Sequence, residues 1–508
     1  MTADVVRLGG LVGALGLSAL LLGPTRLWRG AGLAAWAVGC VLLALELAPS
    51  GHQRAFAAAG VAGALAALLV GWLFVRVPWT LAVAVVACAP ARIPVTVGAT
   101  KANLLVPLYL VVAGTAVALA VELLAPERFA KWRAGKIFEP RGRHVGEPPP
   151  LEVPPERERP VLGAFAWPAA LLIGWSGICL LWSPVAGKAL HDGAVYLLFY
   201  MLPLGLMAAA LARLPWRIGW VKVLYVELTA MALVFAAIGV EQYVTRAIYW
   251  NPKVIVDNAY APVGWYFRVN SVFYDPSIYG RFLVVAILAS LVLILFERSG
   301  SAWIAAALAT ATLIGLLPSF SQSSFVALAA GIGVALIVLW RRRAILPLAL
   351  AAAVLVGLTF GVPQLRHRVI GKAGIHHATD GRAPLVTAGV KIAVHHPLVG
   401  VGTGGFAAAY AKETRKAGRA SHAAPITVAA ETGIPGLAFL IWLVGCTFVI
   451  PFRGNRGRTA TGRARLAFGL ALVAIFVHSL FYNALIEDPL FWGALALSAV
   501  AYRQAEKS

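Results

Sequence analysis

Three stretches of this sequence place residues that can hold or move charge beside long apolar runs. The first is FRVNSVFYDPSIYGRF, with Arg268, Asp275 and, six residues into the following apolar run, Arg281. A guanidinium offers a planar fork of donors that can bond two phosphate oxygens at once. An unpaired charge inside lipid is costly, so Arg281 is expected to face the bundle interior, toward a carboxylate or an anionic ligand. Asp275-Pro276 also has a structural reading. Asp caps the free N–H groups of a helix start and Pro fits the first helical position.

The second stretch is DGRAPLVTAGVKIAVHHPLVGVGTGGF. Wound as a helix over 382–396, it puts Leu385, Val386, Gly389, Ile392 and Ala393 on one face, with Arg382 in its middle and Lys391 opposite. An arginine there needs an anion, either Asp380 or a phosphate-bearing ligand. The glycines at 400, 402, 404 and 405 do not follow a strand of a βαβ unit, which excludes a dinucleotide site and leaves a tight turn near the membrane.

The third stretch is SHAAPITVAAETGIPG. Pro425 opens a helix that Gly433 ends, and Pro435 opens the next span. His422 then sits just ahead of a helix N-terminus, where the dipole disfavours imidazolium. A neutral imidazole can accept a proton from an attacking hydroxyl. The pairs His376-His377 and His395-His396 lack the i, i+4 spacing of two ligands on one helical face, so no metal is expected. Cys40, Cys88, Cys179 and Cys446 fall in apolar runs and read as core filler.

What must position these residues is a membrane protein. The 508 residues are 60% hydrophobic and 13% charged, with mean hydropathy +0.81. Fifteen apolar runs between 5–23 and 488–502, two of them short (78–90 and 488–502), predict an all-α polytopic protein of about 12–15 transmembrane helices. Residues 1–124 form an N-terminal helical block with small-residue faces. In it Arg92, Lys101 and Asn103 read as snorkelling interfacial side chains. Residues 125–160 form a charged, Pro-rich linker, and 161–503 the functional block.

The net charge of +22 is concentrated in loops. Eight Lys/Arg in 126–160, Arg341–Arg343 and five Arg in 453–465 mark the cytoplasmic side. Alternation from these anchors puts loops 241–275 and 363–424 outside. The first carries Tyr260, Trp265, Tyr266, Phe267, Phe273 and Tyr274 around Arg268, aromatics that suit sugars, headgroups or an interfacial belt. The large loop lies within Pro363–Glu431, a stretch with nine Lys/Arg and six of the ten histidines. A basic loop outside breaks the usual bias, and an anionic substrate explains it.

The motifs R-x-x-S-x-F-x-D-P (Arg268–Pro276), S-x-S-S (Ser321–Ser324), R…H-H-P-L-V-G-V-G-T-G-G-F (Arg382–Phe406), S-H…A-E-T-G-I-P-G (Ser421–Gly436) and N-A-L-I-E-D-P-L-F-W come in one order. Over roughly 170–500 the chain resembles the O-antigen ligase / polysaccharide polymerase superfamily of membrane glycosyltransferases. The resemblance implies transfer of a glycan from a polyprenyl-diphosphate carrier to a glycan, lipid or protein acceptor, at the outer face of the cytoplasmic membrane. It implies an inverting, metal-independent reaction without a cofactor or nucleic acid. It places Arg268 and Arg382 on the diphosphate and His422 in catalysis; beside them, Arg281, Asp275 and Glu431 are this sequence's own candidates for supporting residues. Ala423 stands where the family often has Asn after the His, and Ser277 where Asn often follows Asp-Pro. The competing reading is a glycan transporter or flippase without transferase activity. Its marks would be repeated halves and broken helices near mid-membrane, whereas these polar points gather at one surface.

Overall fold

The structure is a computed structural model that describes residues 2–48, 53–97, 100–126, 159–249, 252–259, 267–297, 300–344, 346, 349–350, 383–416, 421–455 and 457–507. The linker at 127–158, the apolar run at 351–362 and the loop from 363 through Arg382 lie outside these residues.

Long apolar segments have no water to satisfy their backbone, so each must satisfy itself as a helix. Among the described residues, eleven helices are long and apolar enough to cross a membrane. The first two are α1 (Ala3–Leu22) and α2 (Arg26–Leu47). Their backbones meet because glycines line both faces. A Cβ on Gly39 would lie 2.4 Å from Gly13 Cα, and one on Gly16 would lie 2.4 Å from the Trp36 nitrogen. This is the small-residue packing expected of the N-terminal block.

After α3 (Gln53–Arg76) comes α4 (Thr80–Cys88), only nine residues long. The run at 78–90 is therefore no full span; its helix covers about 14 Å. The chain continues as an antiparallel hairpin, β1 (Ile93–Val97) with β2 (Thr100–Leu104), the one exception to all-α architecture among the described residues. Next come α5 (Val106–Leu124), α6 (Ala166–Cys179) and α7 (Ala189–Tyr196). A π-helical turn at Leu197–Met201 joins α7 to α8 (Leu202–Leu211). Then follow α9 (Ile218–Thr245), the short α10 (Pro252–Ala259), α11 (Pro276–Phe296), α12 (Gly300–Leu316) and α13 (Gln322–Trp340). The last five are α14 (Ala383–His395), α15 (Phe406–Thr414), α16 (Ala424–Val449), α17 (Ala460–Ser479) and α18 (Pro489–Lys507).

One hydrophobic cluster joins Leu17 and Leu108, before the linker, to Leu204, Leu443 and Trp492 beyond it. The two blocks thus share a core. A second cluster packs α11, α13 and α17 around Phe282, Leu288, Leu328 and Leu470. A small third one holds α14, α15 and α16 together through Ile392, Phe406, Tyr410 and Ala430.

Contacts of charged side chains sort to two ends. At one, Glu297 pairs with Arg463 (2.7 Å) and Arg213 with Glu122 (3.1 Å), and Arg503 bonds the carbonyl of Val161. At the other, Asp275 caps α11 through the Ser277 nitrogen (2.7 Å), and Arg92 bonds the Glu487 carbonyl (2.7 Å). The Glu297 end carries the basic segments near 159, 341–343 and 453–465. It is the end that positive-inside reasoning assigns to the cytoplasm.

Candidate active site

Arg268 is held by its backbone before its side chain acts. Its N–H donates to Asn258 Oδ1 and its carbonyl accepts from Asn258 Nδ2, both at 2.9 Å. The Arg268 Nε then donates to the Ser319 carbonyl at 3.2 Å, on the turn between α12 and α13. Next to it, Ser271 adopts φ +51 and is clamped by the buried Gln242 amide, which accepts from Ser271 N (2.8 Å) and donates to Ser271 O (3.1 Å). The guanidinium remains half-buried. Asp275 is the helix cap that its Asp-Pro sequence predicts, with Pro276 opening α11.

Arg281 faces inward as expected, and its partner is a carboxylate. It is 2% exposed, pairs with Asp488 at 2.7 Å and donates to the Ala484 carbonyl at 3.3 Å. Arg92 does not snorkel. It is buried against the same 484–488 turn, bonding the Glu487 carbonyl with its carboxylate 4.0 Å away. A distant carboxylate drew this arginine in, and no local pattern announces such a partner. Two arginines thus face two carboxylates. Burial holds the Glu487 carboxyl above its usual range despite Arg92 and Arg281. Burial likewise pushes the Tyr482 phenol well up, so it stays an O–H donor beside Asp275 and the two arginines.

His478 was not singled out in the sequence, and its one signal is a histidine in the last turn of an apolar helix. It is fully buried, with Nε2 at 3.0 Å from Ser323 Oγ and 3.1 Å from the Ser277 carbonyl. A carbonyl only accepts, so Nε2 carries the proton and ties α17 to the starts of α11 and α13. Ser321 caps α13, which accounts for part of the S-x-S-S motif.

The large-loop residues assemble separately. The segment 397–405 is a turn, as its glycines predict, docked along α16. Val401 N donates to Ala430 O (2.9 Å), Gly402 N to Glu431 O (3.0 Å) and Ile434 N to Pro397 O (2.7 Å). Gly400 has φ +67, and a Cβ there would lie 2.3 Å from the Glu431 carbonyl carbon. The Glu431 carboxylate turns back to accept from Phe406 N at 3.3 Å. Glu431 therefore positions the glycine turn. Ser183 and Trp182 pin the same turn to the end of α6 through Thr403 O (2.8 Å) and Val399 O (3.2 Å).

His422 lies where this assembly meets α14. It is half-buried and adopts φ +64, a left-handed conformation that non-glycine residues rarely hold. Ser421 fixes the turn, with its hydroxyl 2.8 Å from both Ala423 O and Thr427 Oγ1. Helix α16 starts at Ala424 and breaks at Gly433 (φ 68, ψ −168), before Pro435, as the sequence predicts. The inward face of α14 carries Ala388, Gly389 and Ile392, with Lys391 exposed opposite. A Cβ on Gly389 would touch Ser421 Cβ at 3.1 Å, so this face packs on the His422 turn. Arg382 immediately precedes α14 and lies outside the described residues.

Residues 307–441 match the family model described as O-antigen ligase. This stretch is similar to the O-antigen ligase family. It begins in α12, ends in α16, and takes in Ser321–Ser324, the glycine turn, His422 and Glu431. The match supports a membrane glycan-handling function of the ligase or polymerase kind, and that kind implies a lipid-linked glycan and an acceptor as partners. Arg268, Arg281 and the 484–488 turn lie outside the O-antigen ligase match, yet the fold brings them to the same end of the bundle. No curated protein matches the chain.

Proposed function

We propose that the protein transfers a glycan from a polyprenyl-diphosphate carrier to an acceptor hydroxyl at the outer face of the cytoplasmic membrane. The observation that carries this reading is His422, held in a left-handed turn ahead of α16 inside the stretch that matches the O-antigen ligase model. Strain of this kind persists only where surrounding structure enforces it, and it concentrates at functional sites.

The chemistry is a displacement. The acceptor oxygen attacks the anomeric carbon, the bond from that carbon to the diphosphate oxygen breaks, and His422 takes the hydroxyl proton. The diphosphate leaves with the bonding pair. Arg268 and Arg382 stabilise the charge growing on it, each contributing about 3–4 kcal/mol by analogy with other fixed donors. The step inverts the anomeric centre and uses only side chains. Arg281 takes no direct part, because Asp488 occupies its guanidinium; it holds the 484–488 turn against α11.

The test is reconstitution with a labelled polyprenyl-diphosphate glycan and a panel of acceptors. His422→Ala should lower transfer by about 10²–10⁴-fold, the usual worth of a positioned base, while donor binding persists. Wild-type rates in that variant would refute the assignment. Movement of lipid-linked glycan across vesicles with no new glycosidic bond would identify a transporter instead.

A further inference from the structure

Residues 267–271 form neither helix nor strand, so no ladder of their own fixes the direction of Arg268. Two side-chain amides from other elements do so instead, and each grips both backbone polar groups of one residue. Asn258, on α10, accepts from Arg268 N and donates to Arg268 O, both at 2.9 Å. Gln242, on α9, accepts from Ser271 N at 2.8 Å and donates to Ser271 O at 3.1 Å. These are the paired bonds that a residue on a neighbouring antiparallel strand would supply. Between the two grips, Val269 N donates to Pro318 O at 3.1 Å. Just before them, the Arg246 guanidinium lies 5.3 Å from the centroid of the Phe267 ring.

The Gln242 grip is the more demanding of the two. Gln242 and Ser271 are both fully buried, and Ser271 is held at φ +51, where non-glycine residues rarely sit. Such a conformation persists only where its surroundings enforce it. A buried amide needs a partner for its donor and for its acceptor, and Ser271 provides both. Three residues upstream, Arg268 Nε is taken by Ser319 O at 3.2 Å. That leaves the terminal nitrogens of the guanidinium as the edge that can meet phosphate oxygens.

We infer that Gln242 is a positioning residue for the donor-binding arginine. Its amide fixes Ser271 and, through the 268–271 segment, the direction in which the Arg268 guanidinium meets the diphosphate. This rests on the diphosphate role proposed above for Arg268. Gln242 acts through Arg268 rather than on the substrate, and it lies outside the stretch matched to the family, residues 307–441.

The test is a double-mutant cycle on the full chain, read as affinity for a labelled polyprenyl-diphosphate glycan. Gln242→Met keeps the side-chain length and removes both bonds, and should weaken donor binding about tenfold, as loss of paired buried hydrogen bonds does. In an Arg268→Gln background the same change should weaken binding no further, because residues that act as one unit are not additive. The KM for the acceptor should stay at its wild-type value. Gln242→Glu, which keeps the shape and the acceptor for Ser271 N, serves if Gln242→Met does not fold. Tyr225→Phe, which removes the hydrogen bond to Ser290 (3.1 Å) from the same helix, should leave donor affinity unchanged. Equal losses from Gln242→Met in both backgrounds, or a matching loss in Tyr225→Phe, would reduce Gln242 to a structural residue and overturn the inference. If Arg268→Gln weakens the donor and Gln242→Met does not, the inference fails alone. If Arg268→Gln itself leaves donor affinity unchanged, the diphosphate role of Arg268 fails and the inference with it.

Discussion

Among single residues, the arginines separate by what faces them. Arg281 is matched to Asp488 in a dry interior, where removing one partner leaves an uncompensated charge. Asp488→Asn should therefore destabilise the fold by about 3–5 kcal/mol, read as a drop in thermal unfolding midpoint. Replacing both partners by apolar residues of similar volume should cost far less. Arg268 is half-buried, with one described side-chain hydrogen bond, to Ser319 O. Arg268→Lys should leave stability near wild type while transfer falls sharply, because an ammonium loses the planar fork. Arg382→Lys should behave alike in the transfer assay. Unchanged turnover in both would remove the diphosphate roles.

At the scale of elements, the decisive unit is the glycine turn docked on broken helix α16. It needs Gly400 at positive φ, with the Glu431 backbone where a Cβ would stand. Gly400→Ala should expel the turn, raise cleavage between α14 and α15 under limited proteolysis, and abolish transfer. A protease pattern like wild type would show that the docking is dispensable. The turn was legible in the sequence because glycine spacing is a local signal. So were the Asp275 cap and the break at Gly433, where Pro and Gly act within a few residues of themselves. The role of Glu431 was not legible, since its carboxylate reaches a backbone 25 residues away.

For the whole molecule, orientation is the property to test. The charged contacts fall at two ends, and the described basic segments gather at the Glu297 end. Lys416, exposed just past α15, is expected outside the cell. In a background lacking the four native cysteines, Lys416→Cys should react with an impermeant thiol reagent in intact cells, and Arg453→Cys only after lysis. The reverse pattern would invert the orientation and place the proposed site on the wrong side.

The sequence by itself determined the class of the molecule: apolar runs too long for a soluble core, self-satisfied helices, short basic loops on one side, and motifs in the order of the ligase/polymerase superfamily. These are properties of composition and near neighbours, and a chain carries them before it folds. It also placed Arg281 inward, because lipid forbids the alternative. Only the tertiary structure decided that its partner is Asp488 and that Arg92 is drawn to Glu487. The same holds for His478, which ties α17 to Ser277 and Ser323, and for Gln242, whose amide grips Ser271. Arg92 and Glu487 stand 395 residues apart. Whether a buried charge stays inside or snorkels depends on which opposite charge the packing delivers, and that choice belongs to the whole bundle.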